Sequence, residues 1–137
     1  MEYRIVEHTS DVGLEVEAPT LPALFERAGA AFSDIVFGLS SIEAREATAW
    51  EVDGDDLGGL MVAYLSEVLY RFEVEERVFC RYDVGSASDT HLSVQAWGER
   101  FESGRHHVLE PVKAVTWHQL EVVHRDGQWH ARVILDL

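Results

Sequence analysis

The chain has 137 residues, 47% apolar and 26% charged, with only three prolines, which suits one globular domain and excludes a disordered polymer. Twenty-five acidic against eleven basic residues give a formal charge of −14, which repels phosphate backbones, so strong direct nucleic-acid binding is not expected; the charge favours metal cations or a basic protein partner, or serves solubility. No apolar run reaches membrane length, no basic-then-apolar leader opens the chain, and one cysteine, Cys80, permits no internal disulfide, so we expect a cytoplasmic protein with no membrane association.

In chain order, residues 3–7 (YRIVE) and 12–18 (VGLEVEA) have strand patterns, the second placing Val12, Leu14 and Val16 on one face. A helix follows. Thr20 suits its N-cap, Pro22 its first turn and Gly38 its C-terminal stop, and Leu21, Leu24, Phe25, Ala28, Phe32, Ile35 and Val36 form its apolar stripe. The stretch REATAWEVD predicts a strand with Ala47, Ala49 and Val52 inward. A second helix, capped by Asp55 or Asp56, carries Leu57, Leu60, Met61, Tyr64, Leu65, Val68, Leu69 and Phe72. Its Gly58-Gly59 pair either admits a neighbouring strand closely or delays the helix start.

The second half is mostly strand. RVFCRYDV and THLSVQAWGE both alternate, Cys80 reads as a buried small hydrophobe, and Gly98–Phe101 reads as a turn or bulge. SGRHHVLEP predicts a loop, and VKAVTWHQLEVVH one long or bent strand. Asp126-Gly127 marks a type I′ hairpin before the closing strand WHARVILDL. The fold class expected is α+β: a single domain over residues 1–137, with a largely antiparallel sheet and two helices packed on one face.

The sequence has no phosphate-binding glycine loop, no Gly-x-Ser-x-Gly elbow and no Cys-x-x-Cys. Seven histidines, among them His106, His107, His118, His124 and His130, lack zinc-like spacing and read as surface or edge positions. The aspartates carry more. In the polar run His8-Thr9-Ser10-Asp11 between the first two strands, Asp11 either closes an Asx-type turn or serves as a ligand. Asp136 shares a strand face with Ile134, and Leu137 adds a free carboxylate. If the fold brings Asp11 to this strand, the carboxylates repel unless a cation or proton is bound, and hard cations prefer oxygen ligands. Ten of the eleven basic residues are arginine; Lys113 is the only lysine, a compact ammonium at one place.

Several segments together resemble the archease family: EHTSDVGLEVEA with TLPALFERAGAAFSDIV, then LSEVLYRFE, VKAVTWHQLEV and WHARVILDL. Ser10 stands where the family usually has alanine, Trp117 where it has tyrosine, and Pro111 where many members have glutamate. The resemblance implies an accessory protein, not itself an enzyme, of the RtcB-type RNA ligase. That ligase joins a 2′,3′-cyclic phosphate or 3′-phosphate end to a 5′-hydroxyl end, as in tRNA splicing, after charging its own histidine with GMP. The family promotes this guanylylation and multiple turnover. Its metal-binding carboxylates fall on Asp11 and Asp136, with an oxygen from Leu137, and its motif lysine, implied in ligase activation, on Lys113. The implied cofactor is a divalent cation: calcium, magnesium or manganese. Two other readings fit the residues: a free-standing metal-dependent phosphoesterase and a chaperone-like interaction module.

Overall fold

A computed structural model describes residues 2–7 and 10–137; His8 and Thr9, read above as part of the polar link, lie outside the described residues. The architecture is α+β. Strands β1 (Tyr3–Glu7) and β2 (Asp11–Ala18) pair antiparallel, with Tyr3 opposite Val16. The other edge of β2 takes the last strand, β8 (Gln128–Asp136), along eight paired positions from Asp11–Asp136 to Ala18–Trp129. The far edge of β8 is shared end to end by β7 (Glu121–Arg125) and the two-residue β6 (Ala114–Val115). A second sheet holds β3 (Glu46–Asp53), β5 (His91–Arg100) and β4 (Arg77–Ala87) in that order. All pairings among the described residues are antiparallel, as expected, but the strands divide between two sheets.

The helices join the sheets. In α1 (Leu21–Phe37), the Thr20 hydroxyl accepts the Ala23 N–H at 3.3 Å, Pro22 occupies the first turn, and Gly38 ends the helix at φ 78°. In α2 (Leu57–Glu75), an Asp56 carboxylate oxygen accepts the Gly59 N–H at 2.7 Å. α1 packs on β2 and β8 and on β4, while α2 touches β3 and β4 on one side and β6 and β7 on the other. One apolar cluster therefore runs through both sheets, with Leu14, Leu24, Phe25, Leu60, Phe79 and Leu135 fully buried in it. Each such side chain stabilises the fold by about 1.5–3 kcal/mol. No helix among the described residues is long and apolar enough to cross a membrane.

Four sequence expectations need correction or completion. In β3 the buried residues are Trp50 and Val52, while Ala47 and Ala49 are exposed. Positions 47 and 52 cannot share a face of a two-residue repeat, and burying an indole outweighs burying two methyl groups. Gly98–Arg100 is not a turn: β5 runs through Arg100, and the bulge lies on the facing strand, where the register slips between Phe79 and Arg81 past Cys80. Gly98 is needed because a Cβ there would overlap the Val78 carbonyl oxygen. The segment VKAVTWHQLEVVH breaks into β6 and β7 at Trp117–Leu120, with Gln119 at φ 52°. That turn, not a strand, exploits the Gly58-Gly59 pair: a Cβ on Gly58 would lie 2.9 Å from the Leu120 side chain, and one on Gly59 3.1 Å from the Trp117 ring. The Asp126-Gly127 hairpin is as expected, both residues having positive φ.

Gly98→Ala should cost at least about 2 kcal/mol, because the obstacle is backbone and cannot swing away. Gly104→Ala, with nothing within 4 Å of the added carbon, should stay within about 0.5 kcal/mol of wild type. Urea unfolding midpoints of the two variants check the difference.

Candidate functional site

The two aspartates from opposite ends of the chain meet. Asp11 opens β2, Asp136 closes β8, and the two are direct cross-strand partners. Val12, Leu14 and Val16 are buried on one face of β2, and Ala131, Val133 and Leu135 on the matching face of β8. Alternation then puts Asp11 and Asp136 together on the other face. Side chains directly opposed in an antiparallel pair have Cβ atoms roughly 4.5–5.5 Å apart, within reach of one shared ion. The backbone fixes the surroundings: the Leu137 N–H donates to the Ser10 carbonyl at 3.1 Å, and the Lys113 N–H to the Asp136 carbonyl at 2.7 Å.

The carboxylates differ in exposure. Asp136 is exposed, whereas Asp11 is half-buried and its Oδ1 is fully buried with no hydrogen-bond partner among the described residues. A buried carboxylate oxygen without a donor is unfavourable, and a bound cation relieves that cost. The donor set therefore fits a hard divalent ion: two carboxylates on one face, with a main-chain oxygen of Leu137 adjacent. Among the described residues no group of three or more His, Cys, Asp or Glu side chains is arranged to hold a metal.

Lys113 is exposed and joined to the pair through its backbone. Its neighbour Ala114, not Lys113, is the residue opposite Asp136, so Ala114 shares the face of the carboxylates and the Lys113 contact to the pair is made by its main chain. The histidines expected at the surface include one that is not there. His106 is buried at 1% exposure, its Nδ1 accepting the Glu102 N–H at 2.9 Å and its Nε2 lying 2.9 Å from Glu99 Oε2. The ring is thereby fixed with its proton on Nε2, donated to the carboxylate.

Sequence reasoning missed this cluster. Glu99, at the end of β5 and 4% exposed, also receives both Arg105 amino groups at 2.7 Å each and the Glu43 N–H at 2.8 Å. The Arg105 hydrogen bonds, with help from the Glu43 N–H and His106 and against desolvation, pull the Glu99 carboxyl down to about 2. This clamp closes the base of the segment between β5 and β6, which ends at Lys113. Nothing in the spacing of Glu99, Arg105 and His106 marks it; only the loop conformation brings them together.

The Archease protein family model matches residues 3–137. The chain is 33% identical to protein archease of Pyrococcus furiosus over 135 residues, spanning 96% of this chain and 95% of that protein. It is 31% identical to protein archease of Methanopyrus kandleri over 140 residues, spanning the full length of both. The solution structure of protein 1598 of Methanobacterium thermoautotrophicum superposes with a TM-score of 0.81 at 31% identity, covering 98% of each chain. The crystal structure of an archease from Thermotoga maritima, described as a possible chaperone, shares the fold with a TM-score of 0.66 at 15% identity, covering 100% of this chain and 98% of that one.

A carboxyl whose folded value is depressed stabilises the fold above its unfolded value and loses that contribution as pH falls through the folded one. The wild-type advantage over Glu99→Gln should be about 3 kcal/mol near neutrality, the low end for a broken buried pair because Arg105 is a third exposed. It should be complete above about 4.5 and vanish as pH falls through about 2. Unfolding free energies of both proteins across that range test the window.

Proposed function

This chain belongs to the archease family, and from that membership and the paired carboxylates we propose that it is a protein activator of an RtcB-type RNA ligase, promoting guanylylation of the ligase and its multiple turnover. The observation that carries the reading is the direct pairing of Asp11 with Asp136 on one sheet face, with Asp11 Oδ1 buried and lacking a donor among the described residues. The chain acts in this reading as a protein cofactor and not as an enzyme, with residues 1–137 as one functional unit in the reducing cytoplasm.

Each residue has a part. The β2–β8 ladder holds the carboxylates at a fixed separation, so they reach the partner pre-organised. A charge of −14 steers the protein toward a basic, phosphate-binding cleft and sets its orientation there. A divalent cation (calcium, magnesium or manganese) would be held by Asp11, Asp136 and an oxygen of Leu137, and it supplies positive charge that phosphate oxygens can share. Lys113, whose main chain is bonded to Asp136, would offer an exposed ammonium to a phosphate or a carboxylate of the partner. The Thermotoga maritima archease is described as a possible chaperone, and an accessory protein that acts by docking on a partner accords with that description.

Asp11→Asn and Asp136→Asn keep shape and drop charge. Each should weaken cation binding and the stimulation of ligase guanylylation by at least about tenfold. Lys113→Ala should reduce stimulation while leaving cation binding unchanged. Guanylylation assays with the ligase of the same cell, beside cation titrations of this protein alone, read both effects. Near-normal stimulation by the two aspartate variants, with unchanged melting, contradicts the role given to the pair.

A further inference from the structure

Round the edge of β1 from the carboxylates, the structure has an apolar notch of about 240 Å³. Its walls are Tyr3, Ile5, Val12, Ile35 and Leu109, and among the described residues its lining includes the carboxylates Asp34 and Glu110 but neither lysine nor arginine. Exposed large apolar residues scattered singly are ordinary. Here Ile5 (47% exposed) and Leu109 (59%) line one concavity together.

The notch is built, not slack. The Leu109 N–H donates to the Val36 carbonyl at 2.7 Å, pinning the exposed leucine to the end of α1. The Asp34 carboxylate takes the Tyr3 hydroxyl at 2.6 Å on one oxygen and the Leu39 N–H at 2.9 Å on the other, which fixes β1 against α1. That hydrogen bond pushes the Tyr3 hydroxyl up to about 12, so it remains a donor at neutral pH. Glu99, Arg105 and His106 secure the start of the segment that carries Leu109 and Glu110. The notch and the carboxylate pair use neighbouring stretches of chain on opposite faces of the sheet: Val12 follows Asp11, and Glu110 precedes Lys113 by three residues.

We propose that this notch is a docking pocket for one apolar side chain of a protein partner, flanked in the partner by lysine or arginine. Resting on the function proposed above, this occupant belongs to the ligase, so that one contact seats the partner while the adjacent carboxylates face its cleft. Charge complementarity selects the occupant. An acidic rim in an acidic protein repels anionic peptides and anionic lipid surfaces and attracts cationic flanks. The small volume takes a single side chain, and a pinned rim spares the ordering cost of binding.

Two measurements test it. In methyl NMR, a short Lys-Lys-Leu-Lys-Lys peptide should shift the Ile5, Val12, Ile35 and Leu109 methyls, and a Glu-Glu-Leu-Glu-Glu peptide should not. Equal shifts from both peptides, or from neither, overturn the pocket chemistry. By calorimetry, Leu109→Asp should bind the ligase at least tenfold more weakly than wild type, with cation affinity and melting unchanged; exposure of Leu109 makes the substitution structurally mild, and Ile5→Asp, on another wall of the notch and half-exposed, serves as a second variant. Unaltered ligase affinity in both variants overturns the assignment of this pocket to the ligase. If wild type itself fails to bind the ligase, the function proposed above fails with that assignment, and the peptides still judge the pocket.

Discussion

Eight antiparallel pairs between β2 and β8 hold the two ends of the fold in one sheet, and the site exists only because of their register. The register is set from the opposite face. Val12, Leu14 and Val16 must meet Ala131, Val133 and Leu135 against α1, and a slip of one residue would expose one whole set. Burial of six apolar side chains therefore places Asp11 against Asp136. Two carboxylates gain nothing from meeting in an empty sheet. Hydrophobic packing imposes their proximity, and a bound cation would offset it.

The same end of the molecule collects the other features assigned to function. Lys113 reaches Asp136 through a main-chain bond, and the segment leading to it passes the notch at Leu109 and Glu110. That segment has no regular structure between Arg100 and Ala114, so its shape comes from side chains. The buried Glu99 carboxylate, with Arg105 and His106, supplies what a strand ladder would otherwise supply. Every lone pair that matters is matched, which is the condition under which a buried charge fixes a conformation rather than weakening it. The outer parts of the second sheet stand apart from this chemistry and serve to back the helices.

Much of the fold was legible because the local signals agreed with the tertiary solution. Thr20, Pro22 and Gly38 bracket α1 as their capping chemistry dictates, and Asp126-Gly127 turns the last hairpin through two positive φ angles. Legibility failed where the outcome depends on a distant partner. Ala47 and Ala49 look inward until Trp50 competes for the same core. Gly98 looks like a turn until the Val78 backbone closes on it. For the site, the types of residue were legible and their meeting was not: alternation puts Asp136 on a face, but no local pattern pairs it with Asp11. Family resemblance supplied that link, and the β2–β8 register gives it a physical basis. The Glu99 clamp and the notch left no periodic trace, since each is closed by side chains of an irregular loop, Arg105 and His106 in one and Leu109 and Glu110 in the other.

The most direct test of the central claim is a carboxyl carbon-13 NMR titration of the isolated protein with magnesium, calcium or manganese. Asp11 and Asp136 should respond together, saturating with one common dissociation constant, while Glu51 and Asp53 on the second sheet stay still. Independent responses of the two aspartates, or a diffuse response shared by carboxylates across the whole surface, would contradict a shared cation held by this pair.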